Sequence, residues 1–230
     1  MALEPAVRTL RAIQNAALSR RANFGYPPRV VNDAPPHFGA VILAGGQSSR
    51  MGRDKALLEV GGKTLLARQV ELARETGAAE VFISSRADTD YSAFGCRVLE
   101  DELQAAGPLA GIARGLAVAR EPLLLVLAVD MAGMTGDFLK TLHAKCRAGG
   151  GVVPVVNEII EPLAAFYPKA AEGLIQKVLA GAKPPDSPGA KQFAEQCVRA
   201  GLARFMAVEP GAAAWFKSWN SPADLPAEKL

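Results

Sequence analysis

The chain has 230 residues, 50% of them hydrophobic and 21% charged, which is the balance of a globular protein long enough to bury one full α/β core. Its formal charge of +3 sits entirely in residues 1–38, where five Arg face Glu4 and Asp33, and the remainder holds 21 basic and 21 acidic residues. A balanced body argues against nucleic-acid binding as the main role, and no apolar run approaches the ~18 residues of a membrane span. The chain opens with Leu3, Val7, Leu10, Ile13, Ala17 and Leu18 at helical spacing, interleaved with Arg8, Arg11, Arg20 and Arg21. Two readings of this start stay open. It has the arginine-rich, acid-poor character of an organelle transit peptide. It also suits a helix packed on the domain or on a partner and followed by a linker carrying Pro27, Pro28, Pro35 and Pro36. The expected division is an extension over residues 1–38 and one domain over residues 39–230.

Ala40-Val41-Ile42-Leu43 is a short apolar, β-branched run that reads as a buried strand. Gly45-Gly46 follows, where the lack of side chains lets backbone N–H groups come close to a ligand. After it comes a polar, basic segment with Arg50, Arg53 and Lys55. Open α/β sheets place ligands at such strand-to-loop junctions, and bared amides beside cations suit a polyanion. The segment is not a Walker loop: Gly62-Lys63-Thr64 supplies its end, but Leu57 stands where its first glycine belongs. Nor is it a dinucleotide fingerprint, because Gly45 and Gly46 are adjacent.

Further along, Lys63–Thr76 reads as a helix with Gly77 as its stop. Val81–Ile83 is a second strand, ending at Ser84-Ser85-Arg86, and Arg97–Leu99 a third, ending at Glu100-Asp101. Gly107–Ile112 opens a helix with Pro108 in its first turn. Leu123–Val129 is the most continuous apolar run and reads as the central strand, buried on both faces. Asp130 ends it. A carboxylate directly after seven apolar residues is costly unless its charge is compensated. It reads either as a turn or helix-cap residue or as a magnesium ligand beside the glycine loop.

Asp137–Arg147 is a further helix, and Gly149–Gly151 a turn. Val152–Val156 and Ile159–Tyr167 flank Asn157-Glu158 as a hairpin or a pair of edge strands. Helices over Ala171–Ala180 and Lys191–Ala200 enclose a loop at Lys183–Gly189, and Arg204–Val208 is the last strand. Strands and helices in alternation predict a three-layer α/β/α, Rossmann-like fold with a mostly parallel sheet. Cys96, Cys146 and Cys197 are odd in number and form no C-x-x-C pair, which argues against a structural zinc and for a reducing, cytoplasmic setting.

The stretch LAGGQSSRMGRDKALL resembles the signature loop of the molybdenum cofactor guanylyltransferases, within the nucleotidyltransferase superfamily, whose pattern is L-A-G-G-x-S-x-R-M-G-x-D-K. The resemblance runs from about Gly39 to Asp224. It implies nucleotide contacts from Leu43, Ala44, Gly45, Gly46, Lys55, Ser84, Asp101 and Asp130, with Arg50, Lys55 and Asp130 as the catalytic set and Asp130 as the Mg²⁺ ligand. On the acceptor side it points to Tyr167, which closes a P-L-x-A-x-Y pattern, and to Asn220 in Ser218-Trp219-Asn220-Ser221-Pro222, a stretch that also reads as a helix start. Three positions depart from the family: Ala132 stands for a Pro, Pro168 for an Arg and Ser218 for an Asn. Lys169 is a candidate substitute for the missing Arg.

The resemblance implies a reaction in which the phosphate of a molybdopterin acceptor attacks the α-phosphorus of GTP and pyrophosphate leaves. The barrier is mainly charge and alignment, so cations and a metal supply most of the catalysis. A phosphate nucleophile needs no general base. The implied partners are GTP, the molybdenum cofactor, and molybdoenzymes or delivery proteins that take the product, with no nucleic acid and no membrane. Two rivals share much of the pattern: a cytidylyl or sugar-phosphate nucleotidyltransferase, and a relative that binds nucleotide without turnover.

Overall fold

The structure, a computed structural model, describes residues 35–45, 54–86, 89–100, 107–181 and 189–219. The segment 1–34, the loop 46–53 with Gly46 and Arg50, Asp101, the 183–188 loop and Asn220 with the terminal Ser-Pro motif lie outside the described residues.

The first half alternates strand and helix. β1 (Phe38–Leu43) leads to a short hairpin of β2 (Glu59–Val60) and β3 (Lys63–Thr64), then α1 (Leu65–Thr76), β4 (Val81–Ser85), β5 (Arg97–Glu100), α2 (Pro108–Val118) and β6 (Leu123–Ala128). The second half has α3 (Gly136–Ala144), β7 (Gly151–Val156), β8 (Ile159–Ile160), β9 (Ala164–Pro168), α4 (Glu172–Ala180), α5 (Ala190–Arg199), β10 (Ala203–Val208) and a 3-10 segment at Pro210–Phe216. The main sheet runs β10-β7-β9-β6-β1-β4-β5, with β8 added to β7. β1 pairs in parallel with β4 and β6, β4 with β5, and β10 with β7, while β9 is antiparallel to both of its neighbours.

Alternation along β6 builds the layers. Leu123, Leu125 and Leu127 point to a core shared with Leu66 and Val70 of α1 and Phe138 and Leu142 of α3. Leu124 and Val126 point the other way, to Ile112 and Leu116 of α2, Ile175 of α4 and Phe193 of α5. All six residues of β6 are buried, because helices cover both faces of a largely parallel sheet. The expected three-layer architecture with β6 at its centre is what the chain adopts.

Two boundaries differ from the sequence reading. The helix expected from Lys63 starts at Leu65, because Gly61 (φ 55°) and Gly62 (φ 75°) form a tight turn that puts Lys63 and Thr64 into β3. Thr64 then caps the helix, its Oγ1 accepting the Ala67 N–H at 3.1 Å. Of the expected hairpin or pair of edge strands the chain forms the hairpin, with Ile159–Tyr167 divided between β8 and β9. β7 and β8 do form a hairpin across Asn157 and Glu158, both at positive φ, but β7 lies inside the sheet. β9 inserts between β6 and β7, with Phe166 opposite both Leu125 and Val152.

The residues just before the expected domain start also belong to the fold. Phe38 is 2% exposed and packs on Phe166 and His143, and the Pro36 carbonyl lies 2.8 Å from the His143 ring nitrogen Nε2. The three cysteines are free; burial pushes the Cys146 and Cys197 thiols up to about 12, which leaves them unreactive. Among the described residues, no helix is long and apolar enough to cross a membrane.

Candidate active site

Three parallel strands end side by side. Leu43, the last residue of β1, pairs with Ser84 of β4 on one side and with Ala128 of β6 on the other. The ladder continues past the strand ends: the Ala44 N–H donates to the Ser84 carbonyl at 2.8 Å, and the Val129 N–H to the Leu43 carbonyl at 3.2 Å. The start of the glycine loop and the residue before Asp130 are thus fixed by backbone bonds, which place Ala44 and Gly45 beside the end of the central strand. Ala44 is buried and Gly45 half-buried.

The chain returns to this edge at Lys55. Its Nζ lies 2.7 Å from Asp130 Oδ2, with the two side chains 20% and 22% exposed. This ion pair supplies the compensation that a carboxylate at the end of β6 requires. Lys55 is in turn held from behind. Asp54 caps the 3-10 turn Lys55–Leu57 by accepting the Ala56 N–H at 3.0 Å, and its second oxygen accepts the Tyr91 hydroxyl at 2.6 Å. Tyr91 is 1% exposed, so a buried phenol anchors the turn that presents the lysine. Tyr91→Phe should cost on the order of 1 kcal/mol, read as a lower Tm, and should raise the KM for nucleotide several-fold. An unchanged KM would mean that Lys55 is placed without help from the Tyr91 hydroxyl.

The far side of Asp130 is also tied down. Its carbonyl accepts the Trp219 N–H at 2.9 Å, and the next carbonyl, of Met131, accepts Gln69 Nε2 at 2.8 Å. Gln69 is 1% exposed, on the inner face of α1. Asp54, Tyr91, Gln69 and Trp219 were not singled out from sequence as site residues. Asp54 carried a signal, since it adjoins Lys55 in the loop pattern; Tyr91, Gln69 and Trp219 reach the site only through tertiary packing.

The other expected residues fall in different places. Ser84 is 1% exposed, and its side chain faces α2 at Gly111, where an added Cβ would collide with Ser84 Oγ and come within 2.7 Å of Leu43 Cδ2. Ser84 therefore frames the loop from beneath through its carbonyl. Tyr167 is 0% exposed, its hydroxyl donates to the Pro162 carbonyl at 3.0 Å, and burial raises its phenol well above the usual value. Its backbone pairs with Leu124 near the start of β6, while its hydroxyl reaches back along β9 to Pro162, one residue before the Leu163 carbonyl that accepts the Ala128 N–H, so the ring is buried along the strand. Lys169, the candidate substitute for the missing Arg, is engaged elsewhere. Its Nζ donates to the carbonyls of Leu116 and Ala117 in the last turn of α2 and sits 3.4 Å from Glu172, which makes it a helix cap.

Among the described residues no group of three or more His, Cys, Asp and Glu could hold a metal ion by itself. The chemistry present at the strand end is a single carboxylate facing a lysine, and Mg²⁺ is commonly held by one or two carboxylates together with substrate phosphates.

Known proteins resemble this chain in sequence and in fold. The family profile described as a MobA-like NTP transferase domain matches residues 40–200. A probable molybdenum cofactor guanylyltransferase of Opitutus terrae is 38% identical over 192 residues, spanning 82% of this chain and 93% of that protein. A nucleotidyl transferase of Methanothermobacter superposes with a TM-score of 0.66 at 18% identity, covering 82% of this chain and 94% of that one. Molybdopterin-guanine dinucleotide biosynthesis protein A of Archaeoglobus fulgidus does so with a TM-score of 0.58 at 20% identity, covering 81% and 94%. With the glycine loop, Lys55 and the Asp130 strand end all inside the matched stretch, the chain belongs to the MobA-like NTP transferase family.

Proposed function

We propose that this nucleotidyltransferase moves GMP from GTP to the phosphate of molybdopterin-bound molybdenum cofactor, releasing pyrophosphate and forming the guanine dinucleotide cofactor. The observation that carries this reading is the Lys55–Asp130 pair at 2.7 Å, held where the glycine loop leaves β1. When a triphosphate enters, Lys55 exchanges its carboxylate partner for phosphate oxygens and Asp130 is freed. Asp130 would then hold Mg²⁺ together with the phosphates; the ion supplies positive charge against the α-phosphate and the leaving group. Arg50, in the loop pattern, is assigned to the same phosphates. An oxygen of the acceptor phosphate forms the new bond to the α-phosphorus. The bond from the α-phosphorus to the bridging oxygen breaks, and its electron pair leaves with pyrophosphate. The residues of the chain act by alignment and charge, with no proton to remove from the nucleophile.

Free cysteines and a soluble α/β core support a cytoplasmic setting, where a molybdoenzyme or a delivery protein would take up the product. Base choice tests the assignment. The guanylyltransferase signature that the chain resembles has Gly where Gly45 stands, and guanine presents an N2 amine and an O6 carbonyl that need polar partners when buried. Gly45→Ala adds a Cβ where backbone meets base, so it should weaken GTP more than it perturbs triphosphate contacts and narrow the preference over CTP. Titrating both nucleotides against wild type and variant checks this. Equal GTP and CTP affinities in the wild type would reject the guanylyl assignment in favour of the cytidylyl one.

A further inference from the structure

The glycine loop occupies the β1 and β4 side of Asp130. On the other side, toward β9 and β7, the same sheet edge carries a cavity of about 410 Å³ between the β7–β8 hairpin and the Pro210–Phe216 segment, lined by Val156, Ile159, Glu161, Phe216 and Lys217. Both of its walls lead to Asp130. Two residues beyond Glu161, the Leu163 carbonyl accepts the Ala128 N–H at 2.8 Å. Two residues beyond Lys217, the Trp219 N–H reaches the Asp130 carbonyl at 2.9 Å. Two residues span at most about 7 Å, so the cavity opens next to the proposed reaction centre.

Its chemistry is mixed in a telling way. Ile159 is 58% exposed, a large apolar side chain left at the rim, while Val156 and Phe216 are buried beneath it. Glu161 is half-buried among them, and among the described residues its carboxylate has neither a hydrogen bond nor an ion pair. Burial lifts its pKa above the ordinary carboxylate value, with no neighbouring cation acting to lower it. A half-buried carboxylate without a partner bears part of the desolvation cost in the free protein, and a ligand that brings N–H donors relieves it.

We infer that Glu161 is a specificity-determining residue for the acceptor: its carboxylate accepts the paired N–H donors of a 2-amino-4-oxopteridine ring laid against Val156, Ile159 and Phe216. The inference rests on the proposed acceptor. In that ring the 2-amino group and the adjacent ring N–H lie side by side, matched to the two oxygens of one carboxylate. Volume and lining suit a flat bicyclic ligand. Guanine offers the same donor edge, but the loop at Gly45 lies across Asp130 from Glu161, with β6 and β9 between β1 and β7, so the pterin is the ring that Glu161 faces.

The test uses the full chain and a stable fluorescent probe, pterin-6-carboxylate, titrated onto wild type, Glu161→Gln and Glu161→Asp, alongside GTP and a 2,4-dioxopteridine. Glu161→Gln should bind the pterin about 10- to 100-fold more weakly, with GTP affinity unchanged. Wild type should prefer the 2-amino probe over the dioxo analogue, and the Gln variant should lose that preference. Glu161→Asp, which keeps the charge and shortens the reach, should fall between the two and supplies the comparison if the Gln variant melts early. Equal pterin affinity in all three proteins would overturn the role of Glu161 alone. A loss confined to GTP would overturn it too, by assigning Glu161 to the guanine. If wild type binds neither pteridine yet transfers GMP to another phosphorylated acceptor, the proposed acceptor fails and this inference falls with it.

Discussion

Asp130→Asn should keep the fold and lose at least ~10²-fold in turnover, the scale seen when one electrostatic group is removed from a reaction centre. The fold should survive because the substitution preserves shape, and because the bond that ties this residue to the terminal segment uses its backbone carbonyl and the Trp219 N–H. What changes is charge. Lys55 loses its anionic partner at 2.7 Å, and the proposed Mg²⁺ loses its carboxylate. Pyrophosphate release at saturating GTP measures the loss, and a melting curve checks that the protein is intact. Wild-type turnover in the variant would remove Asp130 from the chemistry. Pairing the change with Lys55→Met should give less than the product of the two single losses, since the residues act on the same phosphates.

The largest expected effect on stability is at Phe166. The side chain is fully buried where β6, β9 and β7 meet, edge-on to Phe38 at 5.1 Å between ring centroids and stacked on His143 at 5.3 Å. Phe166→Ala removes the ring from a site closed by strands on both sides, so the cavity cannot collapse, and the cost should be about 3–5 kcal/mol. For a chain of this size that corresponds to a Tm lower by roughly 6–20 °C. Phe166→Leu, which keeps most of the volume, should cost less than ~1.5 kcal/mol. A shift of only a degree or two in the Ala variant would show that the β9 insertion is held by backbone pairing and not by this ring.

Much of the fold was legible because its signals are local. The apolar run before Asp130 reads as a strand buried on both faces, and Leu123–Ala128 is one, while the glycine pair after β1 reads as a phosphate loop that from Gly46 lies outside the described residues. The same locality explains the failures. Tyr167 closes a sequence pattern that points to the acceptor, but the pattern could not show that its ring is fully buried along β9 with the hydroxyl spent on the Pro162 carbonyl. Lys169, two residues on, caps the end of α2. Of the site, Lys55 and Asp130 were visible singly, whereas their ion pair joins positions 75 residues apart and appears only when the sheet is assembled. The phenol of Tyr91 under Asp54 had no sequence signal at all.

The insertion of β9 also sets a hazard during synthesis. Once the nascent chain has emerged as far as Ala128, β5, β4, β1 and β6 can line up through their crossover helices, but the outer edge of β6 has no neighbour until Ala164–Pro168 is made. That edge belongs to Leu123–Ala128, six residues without a charge, a proline or a glycine. A bare, flat, fully apolar strand edge is the feature that recruits strands from other chains. Slowing translation between β6 and β9 should therefore favour aggregation over yield, and the strand that completes the sheet also serves as the guard of its stickiest edge.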